Sequence, residues 1–259
     1  MSTDPAKKES IHQAVQATYS AVARTRGIAE QAASCCTPEL PAISDYTLEE
    51  LASVPKGAYL GEGSGTPVRH AGLKPGEVVV DLGAGAGMDT FLAANAVGPT
   101  GRVHGFDLTP DMLERARHNA AEAGYTNVSF ERADIEHLPL ADGVADAAIS
   151  NCVINLTPDK AAVYREIFRM LKSGGRLSVS DIVLRGPADA VEKFRQQGTP
   201  DTWCACISGA LEEKEYLDAI RTAGFADVKV VSERAAQFQP GSEVRAVAVT
   251  INARKPGCH

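Results

Sequence analysis

Six cysteines could do chemistry in this chain: Cys35 beside Cys36, Cys152 alone, Cys204 and Cys206 flanking Ala205, and Cys258 beside His259. Thiolates are soft donors. They hold thiophilic centres or react as nucleophiles, while a simply buried cysteine fills core space. A zinc site built from Cys35, Cys36, Cys204 and Cys206 would depart from the usual C-x₂₋₄-C ligand spacing. A disulfide between the neighbours Cys35 and Cys36 would be strained. Cys258 and His259 read as a chance metal-binding pair and nothing more.

A second group of residues could hold a nucleoside. The apolar run Val78-Val79-Val80-Asp81-Leu82 leads into Gly83-Ala84-Gly85-Ala86-Gly87. Glycines at alternate positions let the backbone pass close to a ligand, with φ free to go positive. No Lys-Ser or Lys-Thr pair follows, so this is not a P-loop, and the third glycine comes too early for the dinucleotide fingerprint. Asp107 closes the next apolar run and Asp134 the one after. Asp107 can accept two ribose hydroxyls, and Asp134 an adenine amino proton. Either aspartate alone reads as a turn or capping residue. Together with the glycine loop they form a three-point constellation for an adenosine without phosphates.

The elements that must position these groups follow from hydrophobic patterning. Between residues 66 and 185, short apolar runs alternate with helical segments, the signature of a doubly wound α/β fold with a mostly parallel sheet. Cys152 follows Asn151 at the end of the fourth run, the sheet edge where such folds hold ligands. Thr109-Pro110 and Thr157-Pro158 each predict a helix start, and Gly124 and Gly174 predict helix stops. Ile11, Val15, Tyr19 and Val22 mark one apolar face of an N-terminal helix. The runs 227–238 and 244–255, separated by a Pro-Gly turn, predict a terminal antiparallel hairpin. A helix over 212–224 precedes them and is expected to roof the site together with residues 1–60. The boundaries read as an N-terminal helical and cysteine segment (1–65), an α/β core (66–185), and covering helices with the hairpin (186–259).

Composition narrows the function classes. The chain has 259 residues, 44% hydrophobic and 23% charged, ordinary for a globular protein with a real core. With 26 Lys+Arg against 33 Asp+Glu, the net charge of −7 argues against a nucleic-acid partner. No apolar run is long enough to span a membrane, and MSTDPAKKES lacks the apolar region of a secretory leader. The expectation is a cytoplasmic protein with reduced thiols acting on a small molecule.

The run DLGAGAG, the position of Asp107 and the segment DIEHLPL resemble the S-adenosylmethionine site of the class I methyltransferases. The resemblance implies a seven-stranded Rossmann-like sheet whose last strand is inserted antiparallel, with helical additions at both ends. It assigns Asp81, Gly83, Ala84, Gly85 and Gly87 to the methionine end of the cofactor. It gives Asp107 and Leu108 to the ribose, Asp134 and Ile135 to the adenine, and Asn151 to the same site.

The stretch ISNCVINLTPDKAAVYREIFRMLKSGGRLSVSDI and the later CISGAL are similar, more narrowly, to the arsenite methyltransferases. That resemblance implies trivalent arsenic bound at Cys152 and Cys206, methylated by S-adenosylmethionine, with an external thiol reductant of the glutathione or thioredoxin type. One departure stands out. Where the family has Gly-Cys-Gly, this chain has Gly61-Glu62-Gly63. A carboxylate is a hard ligand and cannot exchange disulfides. Cys35, Cys36 or Cys204 would then complete a third thiolate position. Two rival readings remain open. One is a methyltransferase for a small organic acceptor, with Glu62 as a polar site residue; the other is a thiol-based arsenical sensor or sequestering protein.

Overall fold

The computed structural model describes residues 5–25, 45–196, 209–236 and 243–257. Its strands are β1 (Val78–Leu82), β2 (Arg102–Asp107), β3 (Val128–Arg132), β4 (Ala145–Asn151), β5 (Leu171–Arg185), β6 (Ala226–Ala236) and β7 (Arg245–Arg254). They form one sheet in the order β3-β2-β1-β4-β5-β7-β6. β1 pairs in parallel with β2 and with β4, placing Asp81 between Gly105 and Ile149. β7 runs antiparallel to both β5 and β6, as the terminal hairpin predicts. The sheet is the expected seven-stranded, mostly parallel one.

This order decides where a ligand can bind. The chain runs outward from β1 to β3, then returns to lay β4 on the other side of β1. The loops after β1 and β4 therefore leave the sheet side by side and splay apart, opening a crevice at the carboxyl ends of the strands.

The helices are α1 (Pro5–Thr25), α2 (Leu48–Ala52), α3 (Pro67–His70), α4 (Met88–Val97), α5 (Pro110–Glu122), α6 (Lys160–Met170), α7 (Ala188–Gln196) and α8 (Glu213–Thr222). α6 buries Val163, Tyr164, Ile167 and Met170, spaced to share one face, against the sheet. On the same side Tyr216 of α8 meets Tyr164 edge to face, with ring centroids 5.9 Å apart. Among the described residues, none of α8 lines the crevice. The expected roof helix is instead a flank of the core. α1 supplies the roof: Val15 and Val22 are buried, as its apolar face predicts, and the helix packs across α5. No helix among the described residues is long and apolar enough to cross a membrane.

Two helix-boundary expectations are corrected. α6 is capped by Asp159, whose carboxylate accepts from the Ala162 N–H at 3.0 Å. Thr157 instead closes the 3-10 turn Ile154–Leu156, its hydroxyl donating to the Ile154 carbonyl. Gly174 does not stop α6, which ends at Met170. Ala145 pairs with Leu171 but Ala147 with Arg176, so residues 172–175 bulge from β5, with Gly174 at φ 77°.

A buried polar network braces that 3-10 turn from behind. Asp181 of β5 is fully buried and accepts from the Asn155 amide nitrogen at 2.8 Å, the Asn155 backbone N–H at 3.1 Å and the Tyr216 hydroxyl at 3.1 Å. Burial raises its pKa to about 6, because the charged form loses its water. Lys160, also buried, donates to the Asn155 and Thr157 carbonyls. Asn155→Ala removes one donor from a buried carboxylate and the donor to the Ile182 carbonyl, and is expected to cost ~1–3 kcal/mol. Chemical denaturation should show that loss; an unchanged midpoint would mean that the turn does not depend on the brace.

Candidate functional site

The crevice is a cleft of about 1110 Å³, counted to its open mouth. The loops after β1, β2, β3 and β4 form its floor, and α1 with residues 46–63 forms its walls and roof. Asp81, Gly83, Ala84, Gly85, Asp107, Leu108, Asp134, Ile135, Asn151, Cys152 and Glu62 all line it. Gly87 sits just behind, where a Cβ would strike the Phe91 ring at 2.5 Å. Cys35, Cys36, Cys204 and Cys206 lie outside the described residues.

Four N–H groups of the glycine loop are used within the protein. The N–H groups of Gly83 and Ala84 donate to the Phe106 carbonyl at 2.8 and 2.9 Å. That of Gly85 donates to the Asp107 carboxylate at 2.9 Å, and that of Gly87 to the Ala84 carbonyl. A phosphate cradle needs such donors free. Here three of them hold the loop to β2 and the fourth closes the loop on itself.

Four aspartates face the cleft. Asp107 accepts one backbone N–H on each oxygen, from Gly85 and from Thr109, which fixes its plane and leaves a lone pair on each for a ligand. Burial pushes its pKa up. Asp134 accepts from the Glu136 N–H at 3.0 Å, while its other oxygen faces Lys8 at 3.6 Å and His12 at 4.0 Å. Lys8 also closes on Glu136 at 2.5 Å, which ties the start of α1 to the loop after β3. Asp81, buried, accepts from the Thr90 hydroxyl at 2.6 Å, and burial with the nearby charge of Asp89 raises its pKa to about 8. Asp89 itself is raised to about 6, chiefly by burial. Among the described residues, no cationic side chain forms an ion pair with Asp81, Asp89 or Asp107. The cleft therefore suits a ligand that brings positive charge and repels one that brings phosphate.

Asn151 knots the site together. Its carbonyl oxygen accepts from the Ser64 N–H at 2.9 Å. Its amino group faces the Tyr46 hydroxyl, the Gly65 carbonyl and the Asp89 carboxylate, all within 3.0 Å. The next residue, Cys152, is half-buried with φ 57°, a conformation that costs a side-chain-bearing residue ~1–3 kcal/mol. The Cys152 N–H donates to the Ser180 carbonyl, and Val153 then lies against Gly83. The cysteine is thus pinned between the Asn151 knot and the glycine loop.

Tyr46, Asp89 and His12 are site residues that the sequence did not reveal. Asp89 carried the one usable signal, an acid in the first turn after the glycine loop. Tyr46 and His12 carried none, because only the docking of distant segments brings them to the cleft.

The two central loop glycines differ in a measurable way. A Cβ on Gly83 would lie 2.6 Å from Val153, whereas one on Gly85 would meet nothing within 4 Å. Both have positive φ, 74° and 52°. Gly85→Ala is expected to cost only the backbone strain, about 1 kcal/mol. Gly83→Ala should cost more, because it also displaces Val153. Equal melting temperatures for the two variants would contradict the packing of Val153 on the loop.

Residues 73–224 match the family described as "Methyltransferase domain". An arsenite methyltransferase of Halobacterium salinarum is 40% identical over 236 residues, covering 86% of this chain and 59% of the relative. One from Aquipseudomonas alcaligenes is 34% identical, covering 86% and 64%. The chain thus spans about three fifths of the length of these curated relatives. The crystal structure of an arsenic(III) S-adenosylmethionine methyltransferase from Chlamydomonas reinhardtii superposes with a TM-score of 0.69 at 33% identity, covering 84% of this chain and 74% of that one. That agreement in both sequence and fold places the chain in the methyltransferase-domain family and, within it, among the arsenite methyltransferases.

Proposed function

We propose that this chain transfers a methyl group from S-adenosylmethionine to trivalent arsenic held on cysteine thiolates. The observation that carries the reading is the position of Cys152, half-buried in the same cleft as the glycine loop, Asp107 and Asp134. The family to which the chain belongs supplies the rest of the argument.

The residues present fit this cofactor. It is an adenosine without phosphates, and the N–H groups of Gly83, Ala84, Gly85 and Gly87 are already used within the protein. It carries positive charge, and among the described residues no protein cation forms an ion pair with Asp81, Asp89 or Asp107. When bound, S-adenosylmethionine supplies an electrophilic methyl group on a sulfonium. Asp107 would hold the ribose hydroxyls with its remaining lone pairs, and Asp134 the adenine amino group, with Leu108 and Ile135 along the base. Asp81 and the glycine loop would face the methionine end.

Cys152 and Cys206 would bind the arsenic, with Cys35, Cys36 or Cys204 as third donor. Sulfur-bound trivalent arsenic keeps a lone pair. That pair forms the As–C bond as the sulfonium S–C bond breaks. No proton is lost from the nucleophile, so the protein needs no general base; its contribution is orientation, worth up to ~7–11 kcal/mol in favourable cases. The formal oxidation of arsenic by two electrons is reversed by two equivalents of an external thiol of the glutathione or thioredoxin type, which leaves as the disulfide. Glu62 in the cleft favours one second reading, a small organic acceptor hydrogen-bonded by that carboxylate.

Mass spectrometry after incubation with arsenite, labelled S-adenosylmethionine and a thiol should find labelled methylarsenicals. Cys152→Ser and Cys206→Ser should each abolish that product while leaving cofactor affinity within about twofold, since serine is a hard, protonated donor. Methylation by either variant near the normal rate would remove that cysteine from the site. No product from the unaltered chain would favour the organic acceptor.

Charge gives a second test. Burial raises the pKa of Asp81 to about 8 and that of Asp89 to about 6, so near neutral pH a cationic ligand must displace a proton from Asp81, and from Asp89 only below about 6. Affinity for S-adenosylmethionine should therefore rise with pH from about 6 to 8 through Asp81, by up to ~10-fold per unit, and level off above. Calorimetry in buffers of different ionisation enthalpy should register proton release at pH 7. Affinity that is flat or falls over that range would contradict the charge argument.

A further inference from the structure

Asp89 is the cleft carboxylate with one oxygen buried and unpartnered among the described residues. Its residue is only 7% exposed. One oxygen, Oδ2, accepts from the Tyr46 hydroxyl at 2.7 Å and from the Asn151 amino group at 3.0 Å. The other, Oδ1, is buried with no hydrogen-bond partner among the described residues. A buried carboxylate oxygen left in that state is costly, and a bound cation or ligand group is one kind of partner that completes it. The residue lines the cleft, in the first turn of α4 just after the glycine loop and beside Asp81.

Tyr46 and Asn151 do more than neutralise Oδ2. Donors from two separate segments, the roof and the end of β4, fix the carboxylate plane and so the direction of Oδ1. The Tyr46 ring is itself held edge to face against Tyr59, with centroids 5.6 Å apart. Such a rigid, half-satisfied carboxylate is built for a cationic donor of defined position rather than for water. Resting on the cofactor reading above, we propose that Asp89 Oδ1 receives the α-ammonium group of the cofactor's amino-acid end, and that Tyr46 and Asn151 are the positioning residues that aim it.

The test compares two neutral-sulfur ligands by calorimetry on the full chain. S-adenosylhomocysteine carries the amino-acid end; 5′-methylthioadenosine lacks it. Asp89→Asn should weaken S-adenosylhomocysteine by about 10- to 100-fold, the range of a charge-assisted hydrogen bond, and leave methylthioadenosine within about twofold. Tyr46→Phe keeps the ring and removes one anchoring donor. It should weaken S-adenosylhomocysteine alone, by about three- to tenfold, and it serves if Asp89→Asn does not fold. Equal losses for both ligands would make Asp89 merely structural, and unchanged affinity for both would remove it from the site; either result overturns the proposal. If the unaltered chain binds neither ligand, the cofactor reading falls and this inference with it. If the unaltered chain binds both, the cofactor reading survives whatever Asp89 does.

Discussion

The side chain of Asn151 is the point at which three parts of the chain become one site. It sits at the end of β4. Its amide binds the backbone at Ser64 and Gly65, the Tyr46 hydroxyl and the first turn of α4 through Asp89. Close packing reinforces the knot: a Cβ on Gly63 would come within 3.0 Å of that same amide, and one on Gly65 within 2.7 Å of Ser180. Residues 45–65 contain little regular structure of their own, so these contacts are what seat them over the cleft. An aliphatic residue at 151 would leave the Ser64 N–H without its acceptor and take one of two donors from the buried Asp89 carboxylate at once.

The electrostatics of the cleft follow from the same placement. Asp81 and Asp107 lie at the ends of β1 and β2, Asp134 in the loop beyond β3, and Asp89 in the first turn of α4. Topology gathers them at one sheet edge, and burial disfavours the ionised forms of Asp81, Asp89 and Asp107. Among the described residues, no lysine or arginine forms an ion pair with these three. Lys8 is placed further out, against Asp134 and Glu136, where it holds α1 down. The inner acids keep their affinity for an incoming cation, while the outer pair is used to close the roof.

Much of this was legible in the residues. Continuous apolar runs alternating with helical segments identified the parallel core, and the Pro-Gly connection identified the hairpin, because both are local patterns with one good solution. The glycine loop, Asp107, Asp134 and Cys152 were legible because each ends a strand. Position along a strand translates directly into position at the sheet edge. Misreadings came where two local solutions compete. Thr157 and Asp159 could both cap α6; the hydroxyl was drawn to the Ile154 carbonyl, and the carboxylate took the helix. The pattern over 212–224 showed a helix but not what it would pack on, and Tyr216 and Ile220 joined Tyr164 on the flank. Tyr46 and Asp89 act together across a separation of 43 residues, which no local pattern encodes.

Cys152 is held from both sides of the chain. Its neighbours are fixed on both sides: Asn151 by the knot, Val153 by contact with Gly83, and the turn beyond by Asp181 through Asn155. The left-handed backbone at Cys152 is sustained by those constraints, since a free chain would relax it. A thiolate so placed is a fixed reference relative to the loop that would carry the methyl donor. In-line transfer demands such a reference, because a displacement of about 1 Å at the reacting centre can cost on the order of 100-fold in rate. One rigid donor is enough to set the line of attack. Glu62 faces the same cleft, and a hard carboxylate is a poor donor to a soft centre, so the fixed soft donor among the described residues is Cys152.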